Sequence, residues 1–235
     1  MKGLDYSGSR PDPRKVKEEG YGFMVRYLFA PAPGGKGVSK AEATAIRQAG
    51  LGLVVVYEEY AGRAREGWGS GVADGHIALA FARAIGFPDT RPIYFAVDFP
   101  ATAGQQPAVD AYLKGVASVI GLSRTGVYGS YYVVERCYAS KTAQWFWQTY
   151  GWSGGKVSAH THFLQYNNGQ VVAGATVDLN ESRQFDFGAW EPIVKPAIIP
   201  PKPPVVVKPV VAKPVFHLMT VAELLAMVKN ALVKK

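Results

Sequence analysis

Cysteine is almost absent from this chain: Cys137 stands alone among 235 residues. A lone thiol excludes an internal disulfide and a cysteine metal cluster, and its expected place is a small apolar position in the core. Histidine is nearly as scarce. His76, His160, His162 and His217 show no metal-ligand spacing, so no metal is expected. No apolar stretch approaches the ~20 residues that span a bilayer, and the start, Met1–Tyr6, has no apolar signal-peptide core. A product made in the cytoplasm is the expectation. The nucleophile elbow, the Walker loop and the dinucleotide fingerprint are missing too, and no cofactor is expected. Acidic residues are outnumbered overall, with a formal net charge of +8, yet residues 191–235 carry +5 of it. The remainder is nearly balanced and indicates no nucleic-acid face. The basic tail favours anionic surfaces such as cell-wall polymers or lipid head groups, or serves solubility alone.

What the chain does have is a set of short apolar runs, each ending on a polar or ionisable residue. Gly3–Leu4–Asp5, Leu53–Val56 with Tyr57–Glu58, Ile93–Val97 with Asp98, and Ala175–Val177 with Asp178 end on acids; Phe23–Val25 ends on Arg26. Continuous apolar runs fit strands buried on both faces. An acid at the carboxyl end of such a strand is costly to bury unpaired. Several of them, one per strand, predict strand ends gathered round a polar pocket, as in a barrel of parallel strands.

Helix signals alternate with these runs. Ser39–Glu42 is a capping box whose helix ends at Gly50, and Asp74 is a candidate cap for a helix running to Gly86. Pro107 suits a first helical turn ending near Gly121, and a further helix is expected from Tyr131 to about Ala139. The pattern then changes. Strand candidates at His162–Tyr166 and Thr176–Asp178 are separated by Asn167–Asn168–Gly169, a tight-turn signal, with no helical period between. The expected fold is therefore α/β: a TIM-like barrel of about five βα units closed by three helix-poor strands, over residues 1–190. Residues 191–215 hold prolines interleaved with valine and lysine and read as an extended spacer. Residues 216–235 open on the capping box Thr220–Glu223 and place Leu218, Val221, Leu225, Val228 and Leu232 on one apolar stripe. So short a helix needs a docking surface: its own domain, a second copy, another protein or a membrane surface.

The motifs Gly3–Leu4–Asp5–Tyr6–Ser7, Gln165–Tyr166 and Asp178–Leu179–Asn180 resemble, in order and spacing, the terminal motifs of glycoside hydrolase family 25 lysozymes. With Gly22–Leu28 and Pro92–Phe99 they resemble more closely the glycoside-hydrolase-like barrels related to those lysozymes, found in actinobacteria, other bacteria and phages. The resemblance covers about residues 1–190 and implies a barrel that acts on peptidoglycan. One departure stands out. The family 25 enzymes carry an Asp-x-Glu pair on the fourth strand, with Glu as proton donor, where this chain has Ala96 and Asp98.

Glycoside cleavage needs one carboxyl held protonated and a second group that stabilises positive charge at the anomeric carbon. Asp98 is the expected general acid, and Asp178 or Asp5 the electrostatic partner or base, with Glu58 a further candidate. Arg26, Tyr27, Tyr128, Gln148 and Gln165 are candidates for contacting sugar hydroxyls or neutralising the acids. Trp68 and Trp145, along with Trp147 and Trp152, offer flat faces to sugar rings. The expected function is cleavage of the peptidoglycan glycan strand by an endolysin or a virion-associated enzyme. The rival is a non-catalytic wall-glycan-binding barrel held in a larger assembly by its C-terminal helix.

Overall fold

The computed structural model describes residues 1–192 and 219–232, which fall into two units. In the first, eight strands form a closed barrel in sequential order: β1 (Lys2–Asp5), β2 (Phe23–Tyr27), β3 (Gly52–Tyr57), β4 (Ile93–Ala96), β5 (Thr125–Gly129), β6 (Trp145–Thr149), β7 (Phe163–Val172) and β8 (Ala175–Ser182). Helices α1 (Pro13–Glu18), α2 (Lys40–Gln48), α3 (Trp68–Ile85), α4 (Gln106–Ile120) and α5 (Tyr131–Ser140) follow the first five strands in turn. Among the described residues of this unit, no helix follows the last three strands, as the sequence leads one to expect. From β1 to β7 neighbouring strands are parallel, while β8 runs antiparallel to both β7 and β1 and closes the ring.

The parallel strands β1 to β6 are largely apolar because both of their faces are covered. Phe23, Val25, Val54, Val56, Tyr94, Ala96, Trp147 and Phe163 fill the barrel interior. The alternate residues, among them Leu4, Met24, Leu53, Val55, Phe95 and Val127, pack outward against the helices. Full burial of each such side chain stabilises the fold by roughly 1.5–3 kcal/mol. Gly3 points inward, where a Cβ would run into the Phe23 ring. The far end of the cylinder is plugged by the segment after β8. Tyr94 Oη donates to the Phe187 carbonyl at 2.9 Å, and Trp190 bridges to Leu53.

Two helix starts match their sequence signals. The Ser39 hydroxyl accepts the Glu42 N–H at 3.1 Å, and Pro107 lies in the first turn of α4. Asp74 does not cap a helix. It lies in the middle of α3, fully buried, where Arg63 grips it through Nε at 3.0 Å and Nη2 at 2.9 Å and Tyr112 Oη donates to it at 2.8 Å. The apolar period of α3 runs on through Gly71 and Gly75, which lie against α4 and allow the two helices to pack closely. Asn167–Gly169 is likewise not the hairpin turn. It is an irregularity within β7, and the chain reverses at Ala173 and Gly174, with φ 50° and 77°. Positive φ at both central residues is the geometry that matches the strand twist in a two-residue hairpin.

The second unit shows one helix, α6 (Val221–Leu232). Its capping box is formed: Thr220 N–H donates to Glu223 Oε2 at 2.7 Å, and Glu223 N–H to Thr220 Oγ1 at 3.4 Å. Val221 and Leu225 of the apolar stripe are exposed. Leu218, the side chains of Val228 and Leu232, and the spacer from residue 193 onward lie outside the described residues.

Candidate active site

Side chains alternate in and out along a strand, so the inner-face parity of each strand fixes what reaches the mouth. Beyond inward Gly3 comes Asp5; beyond Val25, Tyr27; beyond Val56, Glu58; beyond Ala96, Asp98; beyond Phe163, Gln165. These residues, with Val56, Ala96, Tyr128, Trp147, Asn168 and Asp178, line a pocket of about 140 Å³ at the carboxyl ends of the parallel strands. All four sequence-expected acids, Asp5, Glu58, Asp98 and Asp178, are among them. Asp178 arrives differently from the others. Because β8 is antiparallel, Asp178 is not a strand-end residue; it sits within β8, paired with Asp5 across the β1–β8 ladder. Two residues further on, Asn180 shares its face and lies deeper in the barrel.

A hydrogen-bonded chain connects these groups. Tyr128 Oη donates to Gln165 Oε1 at 2.9 Å, and Gln165 Nε2 donates to Asp5 Oδ2 at 2.9 Å and to Asp178 Oδ2 at 3.5 Å. Asn180 Nδ2 donates to the same Asp5 oxygen at 2.6 Å, while its own Oδ1 accepts from Trp147 Nε1 at 2.9 Å. Asp178 Oδ1 accepts the Gly169 N–H at 2.8 Å, a bond supplied by the β7 irregularity. On the opposite rim Lys36 Nζ lies 3.8 Å from Glu58 Oε2 and donates to the Glu58 carbonyl.

Crowding and burial set the protonation of these acids. Asp5 is pushed up to about 7, first by burial and then by the charge of Asp178, against the hydrogen bonds from Asn180 and Gln165. Asp98 is raised by burial and by Asp178. Burial also raises Asp178, opposed by the Gly169 N–H. Glu58 is raised by burial, opposed by Lys36. The Tyr27 and Tyr128 phenols are pushed well above their ordinary value by burial, and stay protonated donors.

Five sequence candidates lie away from the pocket: Trp152, in the β6–β7 loop, and four others. Arg26 neighbours inward Tyr27 and therefore faces outward, fully buried. Its Nε donates to Glu42 Oε1 at 2.8 Å, its guanidinium lies 4.0 Å from the Tyr6 ring centroid, and Nη1 donates to the Tyr6 carbonyl. It thus braces the end of β1 directly behind Asp5. Gln148 neighbours inward Trp147 and turns outward. There it donates to the Lys156 carbonyl at 2.8 Å and accepts the Ser158 N–H at 2.9 Å, fastening the β6–β7 loop. Trp145 is inward but at the amino end of β6, with Nε1 bonded to the Ser123 carbonyl at 2.9 Å. Trp68 opens α3 and is half exposed. His160 stacks on Tyr138 and His162 accepts the Phe146 N–H at 3.1 Å, both ahead of β7.

Asn168, Asn180 and Lys36 are the residues that sequence reasoning passed over. Asn180 was within reach, since a period of two from Asp178 puts it on the same face. Asn168 was hidden by reading Asn167–Gly169 as a turn, and Lys36 by its place in a glycine-rich loop.

Known proteins resemble this chain in sequence and in fold. Rv2525c of Mycobacterium tuberculosis, named as a candidate peptidoglycan hydrolase, is 28% identical over 200 residues, covering 80% of this chain and 82% of that protein. The crystal structure of Rv2525c, a Tat-secreted protein held there in complex with L-tartrate, superposes with a TM-score of 0.76 at 26% identity, over 80% of this chain and 98% of that one. A family 25 glycosyl hydrolase of Streptococcus pneumoniae shares the fold, with a TM-score of 0.55 at 15% identity over 77% of this chain and 86% of that one. The model of the Rv2525c-like, glycoside hydrolase-like domain matches residues 14–182, from α1 to the end of β8, and the chain belongs to that family.

Proposed function

We propose that this protein cleaves the glycan strand of peptidoglycan, with Asp98 as general acid and Asp178 as its partner. The observation that carries this reading is the gathering of four carboxyls around one small pocket, with Asp98 and Asp178 both raised and only half buried. Crowding raises a carboxyl's affinity for its proton, so one acid of such a cluster is held protonated and has a proton to give while its neighbour stays charged. Asp98 donates that proton to the glycosidic oxygen as the bond to the anomeric carbon breaks. Asp178 stabilises the positive charge that develops there and takes the proton of the attacking water. Where the sugar carries an N-acetyl group, its carbonyl oxygen is the alternative attacking group. Asp5 is the less suitable partner, being 3% exposed with one oxygen held by two amide donors. It orients Gln165, which with Tyr27 and Tyr128 faces the sugar hydroxyls. The name of Rv2525c supports peptidoglycan as substrate, and its secretion supports action at the wall. The proline spacer and basic tail support a phage lysin or virion-carried enzyme, in which the barrel is tethered to an anionic wall.

Ala96 favours a second reading. It lines the pocket where the family 25 lysozymes carry an acid, and a site short of one acid suits a barrel that binds glycan without cutting it. Turbidity of purified cell walls separates the two. The hydrolase clears them, and Asp98→Asn slows clearing by about 100-fold or more, within the range for loss of a general acid. Walls that stay turbid with the wild-type protein, while pulling it down from solution, establish the binding module instead.

A further inference from the structure

Just outside the pocket, at the carboxyl ends of β5 and β6, aromatic side chains face solvent: Tyr132 is 42% exposed, Tyr150 48% and Trp152 46%. They follow pocket residues closely in the chain, Tyr132 after Tyr128 and the other two after Trp147. The loop that carries Tyr150 and Trp152 is firmly built. Ser153 is buried at its centre, its Oγ donating to the Thr149 carbonyl at 2.6 Å and accepting the Tyr131 N–H at 2.9 Å. Tyr150 N–H donates to the carbonyl of Gln165 at 2.9 Å, which ties the loop to the strand residue at the heart of the site.

Trp152 itself has φ 56°. Two other described non-glycine residues share a positive φ. Lys141 ends α5 and Ala173 makes the β7–β8 turn, each in a position that needs that conformation. A bulky side chain rarely adopts it. Glycine follows at positions 154 and 155, so residues suited to the conformation occur in this same loop. A strained backbone that leaves 46% of a large indole exposed points to a role in contact with something else. A cavity of about 140 Å³ is below the ~300–1,000 Å³ of pockets that enclose a drug-sized ligand. Most of a polymeric substrate must therefore lie outside it.

We infer that Trp152, with Tyr150 on its loop and Tyr132 against that loop at Gly154, is a stacking subsite for a sugar ring of the glycan that leaves the pocket over β5 and β6. This inference rests on the glycan reading of the pocket. The apolar face of a pyranose matches an exposed indole, and its hydroxyl edge stays in water, so the platform takes any ring of an N-acetylated glycan without reading the bond to be cut.

The test is calorimetric titration of a soluble N-acetylglucosamine hexamer into full-length Asp98→Asn protein and into Asp98→Asn with Trp152→Gly, so that no hydrolysis intervenes. Glycine relieves the backbone at 152. The second protein should melt no lower than the first and bind about tenfold more weakly, a stacking-sized loss. Trp152→Tyr in the same background should keep most of the affinity. Equal affinity in the tryptophan and glycine forms overturns the subsite and leaves the glycan reading intact. So does an affinity loss that tracks a fall in melting temperature, since that marks a structural role. No binding by the Asp98→Asn protein overturns the subsite and the glycan reading together.

Discussion

Asp5 illustrates how one oxygen can hold a site together at a thermodynamic cost. Its Oδ2 accepts from both Gln165 and Asn180, yet burial and the charge of Asp178 still push its pKa from 3.8 up to about 7. The folded protein therefore binds a proton that the unfolded chain has released, between about pH 4 and pH 7. Stability falls as pH rises through that window, because the native state binds more protons than the unfolded one. Across the whole window the loss is of order 4 kcal/mol, roughly 1.4 kcal/mol for each tenfold change in proton affinity. Asp5→Asn keeps an acceptor for the two amides and removes the charge. It should be more stable than the wild type by a few kcal/mol at pH 8 and equal to it at pH 4, in urea unfolding at the two pH values. A variant less stable at pH 8 would show that ionised Asp5 is stabilising, against the burial argument. Arg26 belongs to the same scale. It stands behind Asp5 and braces Tyr6, so it shapes the site without lining it.

Among the elements, the loop from β3 to α3 carries Glu58 to the mouth, and its far side is anchored by the Arg63 fork on fully buried Asp74. Removing one partner strands the other charge in the core. Arg63→Ala should lower unfolding stability by about 3–5 kcal/mol, measured by denaturant titration; a loss under about 1 kcal/mol would mean that the pair behaves like a surface contact. This anchor is also where sequence reading failed. A buried aspartate in mid-helix looks like an N-cap when its partner lies eleven residues upstream in a loop, because local signals say nothing of a long-range ion pair. The same limit explains Asn167–Gly169. Residues that favour turns also favour strand irregularities, and only the pairing with β8 tells which is present. What was legible rests on period and burial. Apolar runs ending on acids identified β1, β3, β4 and β8 and the four mouth carboxyls, because strands covered on both faces tolerate charge only at their ends or across a polar pocket. Arg26 and Gln148 could have been set aside on the same grounds, since each neighbours an inward residue and period two turns it away.

At the scale of the whole molecule, the chain reads as a barrel with a basic, proline-rich extension, and the two should separate in experiment. Deleting residues 192–235 should leave the melting temperature of the barrel unchanged while weakening adsorption to purified walls and reducing the sensitivity of that adsorption to salt. Unchanged adsorption and unchanged mass in solution would remove any wall-tethering or docking role for the extension. The central claim, however, lies in the pocket: the gathered carboxyls are there to break a glycosidic bond, and Asp98 supplies the proton. Counting new reducing ends in purified peptidoglycan, across pH and for wild type beside Asp98→Asn, addresses it most directly. Reducing ends should accumulate with the wild type and decline on the alkaline side, as Asp98 loses its proton, and should be about 100-fold fewer with the variant. Equal numbers from both proteins, or none from either, would contradict it.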